Sequence, residues 1–225
     1  TMKEWEKDIF FFHLKIHIKF DIKFMMKGEK FMTSKKVNIL QEKFIPVDGK
    51  VYDWDTLRVL SDIWDYDQEV FAHCIRTENY VRNMLEYLGK EDEELCNAAL
   101  IHDIGKIYIP YDLLHKPGKL DSVERSIIDM HSYYGYLYLK DRGFSLQVCE
   151  YVLYHHGVKD EWKDRVPQES KKASQNIGVL RAGDIFDALT SNRPYRKAMK
   201  KDDAIEILKE EHIEPRIITC VRKTI

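Results

Sequence analysis

From about Tyr52 to the end of the chain, apolar residues recur largely at three- and four-residue steps. That periodicity commits the stretch to helices, because no strand would bring those positions to one face. Val70, Cys74, Tyr80, Val81, Met84, Leu85 and Leu88 follow it, and Gly89 reads as the stop. A second helix is expected from about Glu91 through Ala98 to Ile101. Asp121-Ser-Val-Glu124 has the form of a capping box and should open a helix that ends near Gly143. Further helices are expected at about 145–156, 174–190, 202–211 and 214–223, with Pro110, Pro117 and Gly118 breaking the chain between them. The fold class that follows is mainly α, a helical bundle over residues 51–225.

Residues 1–50 have a different character. Leu14, Ile16, Ile18, Phe20, Ile22 and Phe24 alternate with Lys15, His17, Lys19, Asp21 and Lys23, the period-two pattern of a half-buried strand. Val37 to Val47 alternates in part and ends in the turn-like Asp48-Gly49. A small strand-containing N-terminal segment is therefore expected, with no function assigned to it.

Composition narrows the partners. Lys and Arg number 36 against 38 Asp and Glu, a formal charge of -2, and a duplex nucleic acid partner would call for a basic face. No run approaches the ~20 apolar residues of a membrane helix, and Ile9 to Phe12 is too short for a signal segment. Cys74, Cys96, Cys149 and Cys220 show no CxxC spacing, so neither a zinc knuckle nor a disulfide framework is indicated. A reducing, cytoplasmic setting is the expectation, with no membrane partner. A homodimer is compatible with the chain but not specified by it.

Six of the nine histidines fall between His73 and His156. His102-Asp103 closes one apolar helix and His155-His156 closes another. Each dipeptide alone is weak, and a lone His131 on a helix is more often a surface or satisfied buried residue. The ordered combination of Glu69, His73, His102, Asp103, His131, His155, His156 and Asp184 is what points to metal chemistry. Glu69 and His73 stand four apart on one helical face. Neighbouring histidines diverge by ~100° on a helix, which suits two ions better than one, and a carboxylate such as Asp103 can bridge both. Imidazole and carboxylate donors without thiolate suit iron, manganese or zinc. Paired ions ~3.5–4 Å apart are a common device for in-line attack on phosphorus.

Several motifs together resemble the HD-GYP phosphodiesterases. They are Ala98-Ala-Leu-Ile-His-Asp-Ile-Gly-Lys106, Ile109-Pro110, Lys116-Pro-Gly-Lys-Leu120, Ala182-Gly-Asp-Ile-Phe-Asp-Ala-Leu-Thr-Ser191 and Arg193-Pro-Tyr-Arg196, in order across roughly Tyr66 to Leu208. The resemblance implies an HD-type helical fold and hydrolysis of cyclic di-GMP by metal-activated hydroxide. It implies His73, His102, Asp103, His131, His155, His156 and Asp184 as metal ligands. Glu69 matches a ligand of those members that hold a third ion, or else it is a solvated helix carboxylate. Two or three divalent transition metal ions follow, iron or manganese before zinc. Asp103 and Lys106 would serve catalysis. Lys106, Arg193 and Arg196 would hold substrate phosphate, and the bland reading of the two arginines is helix-end salt bridging. Asp187 would orient neighbouring groups or Arg196 rather than bind metal. His13, His17, His115 and His212 have no motif support and read as surface residues.

The chain departs from the family after the paired histidines. The usual Asp-Gly-x-Gly-Tyr-Pro loop is replaced by Gly157-Val-Lys-Asp-Glu-Trp-Lys-Asp-Arg-Val-Pro167, which keeps an aspartate at Asp160 but loses the permissive glycines. That leaves the ligands intact and puts substrate identity in question. Two alternatives to cyclic di-GMP hydrolysis therefore stand: the same chemistry on a different nucleotide, and a catalytically silent nucleotide sensor.

Overall fold

A computed structural model describes residues 52–157, 171–192 and 197–225. It is mainly helical, as expected, and the described residues contain no strand. The expected N-terminal strands, Arg193, Arg196 and the loop that replaces the Gly-Tyr-Pro motif lie outside the described residues. The chain divides into two units between Ser61 and Asp62. In the first, Asp53 accepts the Thr56 N–H at 2.8 Å and so starts helix α1, Trp54–Tyr66.

The second unit is a bundle built on α2, Gln68–Tyr87. Asp67 opens it, its carboxylate accepting the Glu69 and Val70 N–H groups at 2.7 and 2.9 Å. Gly89, at φ 62, closes it with a left-handed turn. Helix α3, Glu93–Ile101, starts on the Asp92 cap, and α7, Leu146–Tyr154, starts on Ser145. Between them come a 3-10 turn, Ile104–Tyr108, the short α4, Tyr111–Leu114, then α5, Ser122–Asp129, and α6, His131–Asp141. The chain finishes with α8, Lys171–Thr190, α9, Lys201–Glu210, and α10, Pro215–Thr224.

Helix α8 packs along α2 and also touches α3, α7, α9 and α10, while α6 lies against α7 and the 3-10 turn. Phe71, Leu95, Leu100, Ile101, Leu153 and Phe186 are buried at these contacts. Each contributes roughly 1.5–3 kcal/mol of apolar burial, which holds the helix ends near the site in place. None of the helices is long and apolar enough to cross a membrane, among the described residues.

One expected helix is two. The stretch from Asp121 opens with the predicted capping box, in which Asp121 and Glu124 exchange backbone N–H bonds. It breaks at Met130, and α6 restarts at His131. The 3-10 turn lies close against the start of α6. A Cβ on Gly105 would lie 1.9 Å from the His131 carbonyl oxygen and 2.5 Å from the Gly135 nitrogen. Only glycine permits that contact.

Candidate metal centre

Three imidazoles reach the centre of the bundle from helix ends. His102 follows the last residue of α3, His155 the last residue of α7, and His131 opens α6, two residues after the end of α5. In each, Nδ1 faces a backbone carbonyl three residues back: Ala99 at 2.8 Å, Val152 at 2.6 Å and Ile128 at 2.7 Å. A carbonyl can only accept, so Nδ1 carries the proton and donates it. In the neutral ring each Nε2 then keeps a bare lone pair, and all three belong to the buried donor cluster.

His102 Nε2 is buried and has no hydrogen-bond partner. His131 Nε2 and His155 Nε2 lie 3.2 Å apart. Burial, opposed by Asp103, pushes the His131 imidazole down to about 3. Burial and the neighbouring His156 push His155 well below its usual value. Both rings are therefore neutral at pH 7, and two lone pairs confront one another across 3.2 Å. A cation between them turns that repulsion into two bonds. The residues present fit a metal.

His73, one turn into α2, is held differently. Its Nδ1 donates to Asp187 at 2.7 Å, and Arg76 grips the same carboxylate through Nε at 2.6 Å and Nη2 at 2.9 Å. Ser191 Oγ adds a bond at 3.2 Å. Asp187 is thus spent on orienting His73. The freed His73 Nε2 points at Asp184 Oδ1, 3.0 Å away, and at Asp103 Oδ2, 3.5 Å away.

Both carboxylates divide their oxygens between imidazoles. Asp103 turns Oδ1 to His131 at 3.4 Å, and Oδ2 to His73 and His102 at 3.5 Å each. Asp184 turns Oδ1 to His73 and Oδ2 to His156, the latter at 3.6 Å. Burial opposes ionisation of Asp103, but Lys106 and the surrounding histidines outweigh it and hold the carboxyl well below the carboxylate range. Asp184 is lowered in the same way by His102, His73 and His156. His102 moves opposite to its neighbours: burial lowers it, yet the Asp103 charge carries it well above its usual value. The two anions therefore call for positive charge at the point where His102 stands.

Donor atoms gather in three groups, each within 4.8 Å: His131, His155 and His156; His73, His102 and Asp103; His102, His155 and Asp184. Seven of the sequence-derived ligands are thus brought together. Glu69 is not among them. It is exposed, on the first turn of α2, and belongs to none of the three groups. It does line the cleft of about 910 Å³ that opens over the cluster, with Lys106, whose ammonium sits 2.5 Å from Asp103 Oδ2.

Two features escaped the sequence reading. His115, expected at the surface, is half-buried in the cleft wall and bonded to the α2 cap residue Asp67, with its ring 4.4 Å from that of Tyr111. Asp67 carried a signal, an aspartate just ahead of an apolar run. Arg76 carried only its place three residues after His73.

Residues 70–219 match the family model described as the HD domain. Among curated proteins, the chain is 31% identical over 64% of its length to a 3'3'-cGAMP-specific phosphodiesterase of Vibrio cholerae, covering 34% of that protein. It is 35% identical over 57% of its length to a cyclic di-GMP phosphodiesterase of Pseudomonas aeruginosa, covering 32% of it. The chain thus spans about a third of the length of these relatives. Among solved structures, the HD domain of the Listeria monocytogenes phosphodiesterase PgpH in complex with cyclic di-AMP superposes with a TM-score of 0.58 at 17% identity, over 74% of this chain and 92% of that one. An HD-GYP-type protein of Bdellovibrio bacteriovorus gives 0.53 at 15% identity, over 75% and 60%. The fold, the motif order and the family model agree, and the chain belongs to the HD domain family.

Proposed function

We propose that this chain hydrolyses a phosphodiester of a cyclic dinucleotide, with cyclic di-GMP the leading substrate. One observation carries the reading. Two buried, ionised carboxylates each divide their oxygens between inward-facing imidazoles at the floor of an open cleft. Such a set would suit two or more divalent cations, with Asp103 able to offer an oxygen to each; N and O donors without thiolate suit iron, manganese or zinc, and the resemblance to the HD-GYP family puts iron or manganese first. Bound ions would supply Lewis acidity, neutralising charge on the phosphoryl oxygens and making a water nucleophilic at neutral pH.

The chain's own groups do the rest. His102, His131 and His155 are locked in one tautomer by backbone carbonyls, so no reorganisation is needed on binding cations. Lys106 places a point charge between Asp103 and the cleft, suited to a phosphate oxygen. Arg193 and Arg196 fill the family's place for gripping substrate phosphate. Residues 51–225 constitute the catalytic domain in this reading, and residues 1–50 stand outside the chemistry.

A second reading, 3'3'-cGAMP as substrate, is favoured by the relatives from Vibrio cholerae named for that activity. The silent sensor is disfavoured because seven histidine and aspartate donors gather among the described residues. A panel of cyclic dinucleotides assayed with iron- and manganese-loaded protein tests these readings. Turnover of cyclic di-GMP is expected. Tight binding of every cyclic dinucleotide without turnover of any would refute hydrolysis.

A further inference from the structure

Three described cations line the cleft: Lys106, Arg125 and Arg181. Two are already neutralised by the protein, Lys106 by Asp103 at 2.5 Å and Arg181 by Glu211 at 3.0 Å. Arg125 is exposed, and its guanidinium makes no hydrogen bond or ion pair among the described residues.

Its placement is fixed. Arg125, Ile128 and Asp129 all line the cleft, and their spacing puts them on one face of α5. The helix is pinned at its start by the capping box and by Lys116, which bonds Glu124 at 2.5 Å. It is pinned at its end by the bond from His131 Nδ1 to the Ile128 carbonyl at 2.7 Å. The helix that carries Arg125 thus also orients a histidine of the cluster. Beyond Arg181 and Asp184, α8 and α9 line the cleft with Ile185, Ala188, Leu189 and Ile207, which can face a base but not a charge.

A cyclic dinucleotide brings two phosphodiesters into this space. One must lie over the carboxylate-imidazole cluster to react. The other keeps a full negative charge and must meet the wall. We propose that Arg125 binds this second, non-reacting phosphodiester and so favours cyclic dinucleotides over substrates with a single phosphate. The inference rests on the hydrolytic function proposed above.

The test compares wild-type protein with Arg125→Gln and Arg125→Lys, all manganese-loaded, on the cyclic dinucleotide that the wild type turns over best and on bis-p-nitrophenyl phosphate. Binding of that dinucleotide to chelator-treated protein is measured in parallel. Arg125→Gln should raise KM and Kd for the dinucleotide about tenfold, with kcat within about twofold, as loss of binding common to ground and transition states produces. Arg125→Lys should recover most of it. With bis-p-nitrophenyl phosphate, KM should move by no more than about twofold, since its one phosphate has no partner at the wall. Equal KM for the dinucleotide in wild type and Arg125→Gln would overturn the inference while leaving the hydrolytic reading intact. Equal losses on both substrates would also overturn it, because Arg125 would then serve the cluster. If the wild type neither binds nor turns over any cyclic dinucleotide, the functional reading falls and the inference falls with it.

Discussion

Gly105→Ala is the substitution by which the close approach of the 3-10 turn to α6 can be weighed. The added methyl would stand 1.9 Å from the His131 carbonyl oxygen, 2.5 Å from the Gly135 nitrogen and 2.8 Å from the His131 carbonyl carbon. All three are backbone atoms, so no flexible side chain can swing aside. Side chains in real proteins essentially never come closer than 3.0 Å to such atoms, so the turn and α6 must part by about 1 Å. Over-packing of this kind costs about 1–3 kcal/mol of stability. The larger effect falls on the site. Asp103 lies two residues before Gly105, and its Oδ1 stands 3.4 Å from the ring of His131, whose backbone is the one pushed away. A displacement of ~1 Å between reacting groups costs on the order of 100-fold in rate. Gly105→Ala should therefore fold, bind metal more weakly and hydrolyse bis-p-nitrophenyl phosphate about 100-fold more slowly. Gly89→Ala is the control. Its methyl meets nothing within 4 Å, and at φ 62 it should cost about 1 kcal/mol of stability and leave metal content and rate alone. Elemental analysis, the phosphodiester assay and urea unfolding read the three quantities. Wild-type metal content and rate in Gly105→Ala would show that the turn and α6 are free to separate, and the argument would fail.

Three further outcomes are expected. Asp103→Asn should lose metal and activity together, because an amide cannot bridge two cations as a carboxylate does; wild-type metal content and rate in that variant would remove Asp103 from the centre. Asp187→Asn should weaken metal binding about 10–100-fold in a chelator titration, the usual cost of losing a histidine's orienting carboxylate, and unchanged affinity would show that Arg76 and Asp187 only brace the helices. Without metal, the protein should lose stability as the pH falls below about 6.5. His131, pushed to about 3 when folded, takes up its proton at higher pH in the unfolded chain, and the unfolded state therefore gains protons first. His155 and His156 shift the same way, His102 is shifted up and opposes the loss only down to about 6.5, and Asp103 and Asp184 add to the loss at lower pH. A melting temperature that stays flat from pH 7 to pH 5 in chelator would contradict this.

What the sequence made legible was local. The end of α3 at His102, the end of α7 at His155, the Asp121–Glu124 box and the Gly89 stop all show in a few consecutive residues. What it hid was pairing at a distance and a break without punctuation. Arg76 meets Asp187, and His115 meets Asp67, across spans of 111 and 48 residues that no periodicity links. The break at Met130 falls where neither proline nor glycine stands, so the apolar rhythm runs through it unchanged. What meets it lies elsewhere in the chain, at Gly105, which has no Cβ and lies against the His131 backbone. Glu69 shows the limit from the other side: spacing puts it on the face of His73, but only the fold shows it at the rim, outside the donor groups.

The three helix ends also explain why histidine is the residue that closes these helices. The last carbonyls of a helix have no N–H partner within it. Ala99, Ile128 and Val152 lie in the last turns of α3, α5 and α7, and each carbonyl accepts a hydrogen bond from the imidazole Nδ1 three residues on. One bond does two things. It satisfies a carbonyl that would otherwise be stranded in a dry interior, and it fixes the tautomer that leaves Nε2 bare. The C-terminal ends of α3 and α7 also carry the negative poles of their helix dipoles, about half a charge each, beside His102 and His155. Asp103 and Asp184, buried and ionised, add two full charges there. Lys106 offsets one of them from the cleft side. The remaining field favours a cation on the far side of each Nε2, before any ion has arrived. An asparagine in place of His102 could still cap the Ala99 carbonyl, but it would bring no second nitrogen with a lone pair. His102→Asn should therefore keep the end of α3 intact by circular dichroism while losing metal. Loss of helix together with metal would show that the ring is needed for packing, and the capping argument would not stand.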